Sequence, residues 1–362
     1  MTTKLSAALS ERLSAHIELS NSRLETLALL ITGMIGARTV NLSHIASERG
    51  APVKVASSYR RFQRFFQYVT PKEDWAAPLI VALLGLAGPW MLCLDRTNWK
   101  IGTKDVNILM LAVVTRRHRV PLMWRLIDGP GTSSTAQRIE LMERYLALFG
   151  AASIKRLLAD REFIGSEWLH FLEENNVPFI IRMKEQITVI TEDGRRLSLA
   201  SLLRRDRGKR TFRAALPGDG STGPLWLGFA ARRIKGGELL IVAASKDAHH
   251  ALTAYRKRWS IECLFADTKT RGLNLEDTRL TIARKLSLLL AIVAIAIAWS
   301  SKTAAKTVGT RPMPRKTHGY LAKSWFRTGF DTLRNRLRHD PHVAIEPWRQ
   351  INPRKPKSAR VV

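Results

Sequence analysis

The chain has little cysteine: only Cys93 and Cys263 occur in 362 residues, and both lie in apolar stretches. Two cysteines are too few for a disulfide-stapled scaffold or for a zinc site built from cysteines. A reducing compartment fits this composition, so we expect a cytoplasmic protein. The start of the sequence also lacks the apolar core of a secretory signal, and no export is expected.

Acidic residues are scarce as well, since 30 Asp and Glu face 59 Lys and Arg and leave a formal net charge of +29. Charge of one sign destabilises a compact protein through self-repulsion, and a polyphosphate partner would neutralise it. An enzyme that acts on small molecules has no use for this excess. The composition therefore predicts a nucleic-acid partner.

Long hydrophobic runs are absent. A membrane surface would also attract the positive charge, but the longest apolar run, Leu286–Trp299, has only 14 residues. A helix needs roughly 20 apolar residues to span a bilayer. We therefore expect a buried core helix in this run and no membrane partner.

The first 88 residues are predicted to be helical. Apolar residues recur with a helical period at 22–31, an Asn or Ser cap opens a second helix at 41–49, and a third helix covers 54–68. A short turn that contains glycine joins the second helix to the third. This arrangement resembles a helix-turn-helix.

Three arginines, Arg60, Arg61 and Arg64, lie among aromatic residues in the third predicted helix. One interpretation is that they contact DNA. The other is an ordinary helical pair in which the aromatic residues are core and the arginines are merely solvated. The sequence alone does not decide between the two.

From Pro89 to residue 184 the pattern changes to short strands and helices in the order β-β-β-α-β-α-β. Asp95 is the last residue of the first predicted strand, and Asp160 directly follows the fourth, at 154–159. Both acids are therefore expected at strand ends.

The remainder of the chain changes character twice. Residues 185–246 are predicted to be β-rich, because turn-forming pairs divide them into short segments, and helices at 247–271 and 281–299 follow. Residues 300–362 hold 15 Lys or Arg against 3 Asp or Glu and end in a basic tail that we expect to be disordered.

The helix at 247–271 carries the most informative pattern. Tyr255, Arg258, Glu262 and Lys269 stand at offsets 0, +3, +7 and +14, which at about 100° per residue fall within roughly 60° of one another. A carboxylate that binds a metal, beside cations that hold phosphate, is what an enzyme that cuts nucleic acid requires. The alternative is a solvated face with an ordinary Arg258–Glu262 pair.

A second strip on the same helix is apolar. It contains Leu252, Trp259, Cys263 and Ala266 and lies beside the first strip. We predict that this second strip packs against the core.

Three acids now stand out: Asp95, Asp160 and Glu262. Phosphodiester hydrolysis uses two divalent cations about 3.5–4 Å apart, and Mg²⁺ prefers oxygen ligands, so three carboxylates suffice. Each acid also has a structural explanation: Asp95 could open a turn, Asp160 could cap the next helix, and Glu262 could be a surface acid. Their joint occurrence in a strongly basic chain favours a metal site.

Three blocks of sequence carry a resemblance to a known family. They are Asp95-Arg96-Thr97-Asn98-Trp99, Ala159-Asp160-Arg161-Glu162-Phe163, and the spaced set Tyr255, Arg258, Glu262 and Lys269. In these blocks the chain resembles bacterial insertion-sequence transposases of the DDE type, in particular the family four group with its Tyr-Arg-Glu-Lys signature. The resemblance is strong over about residues 90–300 and looser at 57–66 and 318–337.

The resemblance implies an α/β fold with a ribonuclease-H-like catalytic domain that is interrupted by a β-rich insertion. Helical N-terminal and C-terminal regions would bind DNA or partners. The division that follows is an N-terminal region at 1–88, the first part of the core at 89–184, the insertion at 185–246, the C-terminal helices of the core at 247–300 and a basic C-terminal region with its tail at 301–362.

The resemblance also implies Mg²⁺-dependent cut-and-paste transposition through end binding, strand nicking, hairpin formation and strand transfer. The residues that would hold two Mg²⁺ ions, for which Mn²⁺ can substitute, are Asp95, Asp160 and Glu262. The residues that would contact phosphates near the transposon end are Tyr255, Arg258 and Lys269. In this family an aromatic residue of the insertion stacks on a flipped base, and Trp226 is the only tryptophan in 185–246. Trp226 as a core residue is the alternative.

The implied partners are double-stranded DNA, as terminal inverted repeats and as target, and a second copy of the chain in a paired-end complex. The protein would then be associated with the nucleoid in the cytoplasm. For the joining surface we predict the basic segment 300–362, with Trp325, Phe326 and Phe330 as apolar anchors.

Two other functions remain compatible with the sequence. One is a catalytically inactive relative that binds DNA, and the other is a structure-specific nuclease on the same fold. The complete set of three acids with an intact signature favours the transposase.

Overall fold

The computed structural model describes residues 3–49, 53–115, 117–206, 208–218, 222–234, 236–246, 248–317 and 319–351. The glycine-containing turn expected at 50–52 and the basic tail expected from residue 352 lie outside these ranges.

The N-terminal region is helical, as predicted. Its helices are α1 (Thr3–Ser14), α2 (Asn21–Ala37), α3 (Leu42–Ser47), α4 (Val55–Tyr68) and α5 (Ala76–Leu84). The expected cap of α3 is present, because the Asn41 side chain accepts a hydrogen bond from the Ser43 backbone N–H at 3.1 Å. One face of α4 buries Phe62, Phe65 and Phe66, and the opposite face is exposed.

One mixed sheet forms the centre of the described chain. Its strands are β1 (Trp90–Ile101), β2 (Lys104–Val114), β3 (Arg119–Ile127), β4 (Ile154–Ala159), β5 (Phe179–Met183), β6 (Thr188–Thr191), β7 (Arg196–Ser198), β8 (Arg210–Leu216), β9 (Leu225–Arg233) and β10 (Leu239–Ala244). They lie in the order β3-β2-β1-β4-β5-β10-β9-β8-β6-β7. β4 is parallel to both β1 and β5, and the other neighbours are antiparallel.

The predicted order β-β-β-α-β-α-β is confirmed between residues 90 and 183. The helix α6 (Thr135–Phe149) joins β3 to β4, and α7 (Ser166–Glu174) joins β4 to β5. α6 begins at a capping box, in which the Ser134 side chain and the Gln137 side chain each bond the other residue's backbone N–H.

β1 is longer than predicted. The strand that we expected to end at Asp95 continues to Ile101, because β2 pairs with it from Met91 to Ile101. Asp95 therefore lies inside a strand, and the explanation that it opens a turn is wrong. Parallel pairing with β4, however, stops at Leu94 and Ala159.

The segment predicted to be β-rich contains β6 to β10 and a short helix, α8 (Leu199–Leu202). β10 pairs with β5, so these strands extend the central sheet. Between β6 and β7, Gly194 adopts a φ of 79°, which explains why Asp193-Gly194 marks a turn. The turn expected at 217–220 lies partly outside the described residues.

The helix predicted over 247–271 is divided in two. α9 (Ala251–Tyr255) and α10 (Trp259–Thr268) are separated by a 3-10 turn at Arg256–Arg258. A 3-10 turn rotates further per residue than an α-helix and changes which side chains share a face.

The predicted apolar strip is consequently wrong in part. Leu252 is buried as expected, but Trp259 is 63% exposed. The buried face of α10 is formed instead by Ile261 and Leu264.

The helix α11 (Ala283–Val308) is the core helix expected from the apolar run. It is long and apolar enough to cross a membrane, but 89% of its most apolar window is buried inside the protein. It packs against α2, α5, β3 and two C-terminal helices, α12 (Trp325–His339) and α13 (Pro341–Arg349). At Gly329 of α12 a Cβ would stand 2.0 Å from the Ser300 carbonyl oxygen, so only glycine permits this close approach.

The C-terminal aromatic residues belong to the core. Phe326 and Phe330 are buried, and the Trp348 ring packs edge-on against Trp299 with 5.3 Å between centroids. Trp325 is half-buried. The prediction that Phe326 and Phe330 are apolar anchors for a partner is therefore wrong, and for Trp325 it stays a prediction. α13 in turn packs against α1, so the two ends of the described chain meet.

Candidate active site

The two aspartates lie side by side where the β1–β4 ladder ends. Leu94 and Ala159 are the last pair of the ladder, so Asp95 and Asp160 are the next residues on the neighbouring strands. The explanation that Asp160 caps α7 is wrong, because the residue before α7 is Gly165.

Arg258 connects the third acid to the first. Its Nη1 lies 3.3 Å from Asp95 Oδ2, and its Nη2 donates a hydrogen bond to Glu262 Oε1. The alternative from the sequence was a solvated Arg258–Glu262 pair. The pair exists, but it is not solvated, because the Arg258 side chain is only 13% exposed. Asp95 joins the pair, so that one guanidinium contacts two acids.

Asp160 is held by different partners. The Tyr255 hydroxyl donates a hydrogen bond to Asp160 Oδ1 at 3.1 Å, and Arg182 Nη1 lies 3.9 Å from the same oxygen. Tyr255 is buried, and this burial together with the neighbouring Asp160 raises the pKa of its hydroxyl. The tyrosine therefore stays protonated and can donate.

The Asp95 carboxyl is electrostatically strained. Its pKa is raised to about 6: burial is the largest cause and the Glu162 and Asp160 carboxylates add to it, whereas the Arg96 backbone N–H and the Arg258 guanidinium oppose the shift. A further cation near Asp95 would relieve this repulsion and favour the ionised form.

In the part of the chain that the structure describes, no three His, Cys, Asp or Glu side chains are grouped closely enough to hold a metal ion. Asp95 and Glu262 each have an oxygen bonded to Arg258, and Asp160 has one bonded to Tyr255. The chemistry of the donors nevertheless fits a hard divalent cation, because all three acids are carboxylates. The guanidinium shows that a cation is accommodated between two of them.

Lys269, the last residue of the spaced set, lies apart from the acids. Its Nζ donates to the Asn98 carbonyl at 3.1 Å, pairs with Glu276 at 2.9 Å and lies 5.4 Å from the centroid of the Trp99 ring. These partners place Lys269 beside the second half of β1, beyond Asp95.

The three arginines of α4 have different environments. Arg61 pairs with Glu25 at 2.8 Å and donates to Thr26 Oγ1 at 2.7 Å, so it joins α4 to α2. Arg60 and Arg64 are exposed. Only these two are accessible to a partner without breaking a contact within the chain.

Trp226 lies far from the acids. β9 is three strands from β4, about 14 Å across the sheet. Along β9, Ala230 is level with Val242 and therefore with Arg182, whereas Trp226 lies about 13 Å further along the strand. Its ring is 41% exposed, with Arg213 over it at 5.7 Å, so the alternative of a core residue is wrong.

Sequence reasoning missed three charged residues around the aspartates: Arg96, Glu162 and Arg182. A signal existed for two of them, because Arg96 and Glu162 stand in the blocks that contain the aspartates. Nothing in the sequence indicates, however, that these two residues contact each other. Arg182 gave no signal and comes near Asp160 only through the register of β5 with β4.

Comparison with known proteins identifies a family. No curated protein matches the chain. A solved structure described as the piggyBac transposase synaptic complex with hairpin DNA is similar, with 12% identity and a TM-score of 0.44 over 92% of this chain and 78% of that chain. A likeness at that level supports no argument. The family described as Transposase DDE domain, however, matches residues 87–299, more than half of the chain and a range that contains all three acids. The chain thus belongs to the transposase DDE domain family and is an enzyme, a DDE transposase.

Proposed function

We propose that this protein is the transposase of a bacterial insertion sequence of the family four group and performs cut-and-paste transposition. One observation carries the proposal. Tyr255 and Arg258 of the Tyr-Arg-Glu-Lys signature contact all three acids, although the acids come from distant parts of the chain. A signature that touches its acids in this way is what a shared function in cleavage requires.

DDE transposase domains generally use divalent metal ions, and we infer that Asp95, Asp160 and Glu262 hold two Mg²⁺ ions here, with Mn²⁺ as a substitute. The ions supply an activated nucleophile and charge stabilisation at the leaving oxygen. The chain's own contribution is to hold two carboxylates where the β1–β4 ladder ends and a third on α10.

The cations around the acids are suited to phosphate. Arg258 presents a planar fork for bidentate contact, and Lys269 offers a point charge at the other end of α10, apart from the acids. Together with Tyr255 they would position the phosphates of the transposon end. Trp226 stays the proposed stacking residue for a flipped base, supported by its exposed ring. Its distance from the acids means that this base would lie well away from the phosphate that is cut.

The proposed fold is a ribonuclease-H-like domain with an insertion at 185–246. Its support is the sequence of three antiparallel strands, β1 to β3, followed by the parallel strands β4 and β5. The strands β6 to β10 lie between β5 and α9 in the sequence, and they extend the sheet at the β5 edge. The acids of the proposed site come from both sides of that insertion.

The proposed partners are the terminal inverted repeats, the target DNA and a second copy of the chain. A mobile element must be cut at both ends in concert, which a homodimer in a paired-end complex achieves. The joining surface would be formed by exposed residues, because Phe326 and Phe330 are occupied in the core of their own chain.

Binding to the ends should depend on salt through Arg60 and Arg64. Each neutralised phosphate contributes about −0.9 to the slope of log K against log salt. We expect the double variant Arg60→Ala/Arg64→Ala to reduce the slope by about 2, measured by fluorescence anisotropy on an end duplex. Arg61→Ala is the matched control: it should lower the melting temperature and leave the slope unchanged. An unchanged slope in the double variant would exclude α4 from the DNA interface.

The three candidate functions differ in what they cut. On duplexes that carry the DNA flanking the coding region, with Mg²⁺ or Mn²⁺, we expect double-strand cleavage at inverted repeats and hairpin-ended products. An inactive relative would bind these ends without cutting. A structure-specific nuclease would cut forked DNA of unrelated sequence equally well, and that result would refute the proposal.

A further inference from the structure

A second ion pair lies behind the aspartates. Arg96 Nε is 3.0 Å from Glu162 Oε1, and Arg96 Nη2 is 3.1 Å from Glu162 Oε2, so the contact is bidentate. Both side chains are largely shielded from solvent. Because neighbouring residues of a strand point to opposite faces of the sheet, Arg96 lies on the face opposite to that of Asp95.

The same guanidinium is anchored on its other side. Arg96 Nη1 donates to Asn107 Oδ1 at 3.0 Å and to the Gly131 carbonyl oxygen. Asn107 is buried on β2, and its Nδ2 donates to the carbonyl oxygens of Gly129, at 3.3 Å, and Gly131, at 3.0 Å. Arg96 therefore cannot move without disturbing the loop before α6, and it is a fixed point for Glu162.

Main-chain pairing holds Asp95 against Met110 of β2, but it does not hold Asp160 against Asp95. The β1–β4 ladder ends at Leu94 and Ala159, one residue before Asp95 and Asp160. After Asp160 the chain turns away, and the Phe163 N–H bonds the Asp160 carbonyl at 3.0 Å. Two carboxylates at neighbouring positions repel each other, so an unsupported turn would move away from β1.

We propose that Arg96 and Glu162 are positioning residues for DNA cleavage, a brace that sets the separation of Asp95 and Asp160. The brace crosses from β1 to the turn after β4 where the ladder has stopped. Its planar, bidentate geometry fixes direction as well as distance. This inference rests on the proposed function of the two aspartates as metal ligands.

Metal affinity is the direct readout of the brace. Full-length protein bound to an end duplex is titrated with Mn²⁺, and the free ion is measured by electron paramagnetic resonance. For Glu162→Gln and for Arg96→Lys we expect an affinity for Mn²⁺ lower by about tenfold to a hundredfold, as is typical when a partner behind a metal ligand is lost. The affinity for DNA without metal should be unchanged, and excess Mn²⁺ should partly restore cleavage.

The double variant separates a brace from two independent effects. Because each single change already breaks the pair, Arg96→Lys/Glu162→Gln should bind Mn²⁺ no more weakly than the poorer single variant. Additive losses would show that the two residues act separately and would overturn the proposal.

The ion pair between Arg144 of α6 and Asp74, which precedes α5, provides a matched control. Arg144 contacts Asp74 in the same bidentate manner, with distances of 2.8 and 3.1 Å. Asp74→Asn should leave Mn²⁺ affinity unchanged. If Glu162→Gln and Arg96→Lys behave like Asp74→Asn, the brace is only structural and the proposal is wrong.

If the aspartates are not metal ligands, a different set of variants would show no effect. In that case Asp95→Asn and Asp160→Asn would themselves leave Mn²⁺ affinity unchanged. If the aspartate variants lose the metal and the brace variants keep it, the metal site stands and only the positioning role is refuted.

Discussion

Asp95→Asn, Asp160→Asn and Glu262→Gln should each reduce first-strand cleavage of end DNA by about a thousandfold or more. Each change keeps the shape of the side chain and removes one charged ligand, so a divalent cation would be underligated. Metal ions supply several kcal/mol of transition-state stabilisation, and each 1.36 kcal/mol is about tenfold in rate. Nicking of a labelled end duplex in Mg²⁺, at enzyme excess, measures the effect.

These variants should fold and bind DNA, which separates lost chemistry from lost structure. Burial raises the pKa of Asp95 from its ordinary value of 3.8 to about 6. The folded chain thus favours the protonated carboxyl, and ionisation lowers stability as the pH rises from about 4 to about 6, with the full loss present above that. Asp95→Asn removes this loss, so its melting temperature at about pH 7.5 should equal or exceed that of the parent.

Asp105→Asn is the matched control for the three acid variants. Asp105 also lies on the central sheet, opposite Lys100 near the β1–β2 turn, but away from the acids. We expect near-normal nicking from this variant. Near-normal nicking by any one of the three acid variants would remove that residue from the metal site.

Arg258→Ala should have the second large effect, and its pattern identifies the role of the guanidinium. In the structure Arg258 is bonded to Asp95 and Glu262. If its function is to hold phosphate, nicking should fall only partly, while hairpin and strand-transfer products, which need a distorted DNA end, should be lost by about a hundredfold or more. Arg258→Lys should not restore them, because lysine lacks the bidentate fork. Separate assays of nicked, hairpin and joined products measure each step.

The competing role is that Arg258 only balances the charge of the two acids. An equal loss at every step that is rescued by raising Mg²⁺ would indicate that role and defeat the phosphate assignment. Arg256→Ala controls for general loss of positive charge, because Arg256 lies exposed in the same 3-10 turn. It should leave all three steps unchanged.

The order of strands and helices between 90 and 183 could be predicted because local pattern determines it. Asp160 follows β4 as expected, since the apolar residues Leu157, Leu158 and Ala159 at the end of the strand directly precede the acid. The length of β1 could not be predicted from the local sequence pattern. Past Asp95 the sequence turns polar, and only its pairing with β2, a partner from elsewhere in the chain, continues the strand.

The sequence brought together the residues of the proposed site, but it did not indicate the contacts between them. Tyr255 and Arg258 do contact the aspartates, and Glu262 is joined to Asp95 through Arg258, although the predicted single helix is interrupted by a 3-10 turn. Trp259 was misplaced because a uniform 100° rotation ignores the 3-10 turn before it. The Arg96–Glu162 pair was invisible, since the two residues are distant in sequence and meet only through the β1–β4 register.

The contact between α1 and α13 affects how the protein folds during its synthesis on the ribosome. Every proposed metal ligand has been synthesised once α10 is complete, yet α11 still lacks the cover of α12 and α13 at that moment. Chains fold during synthesis as their packing partners emerge from the ribosome. We therefore expect a nascent chain to acquire a stable cleavage site only after α13 has left the exit tunnel. Interrupted translation would then yield incompletely folded fragments, which proteases degrade and which lack a stable site for cutting DNA.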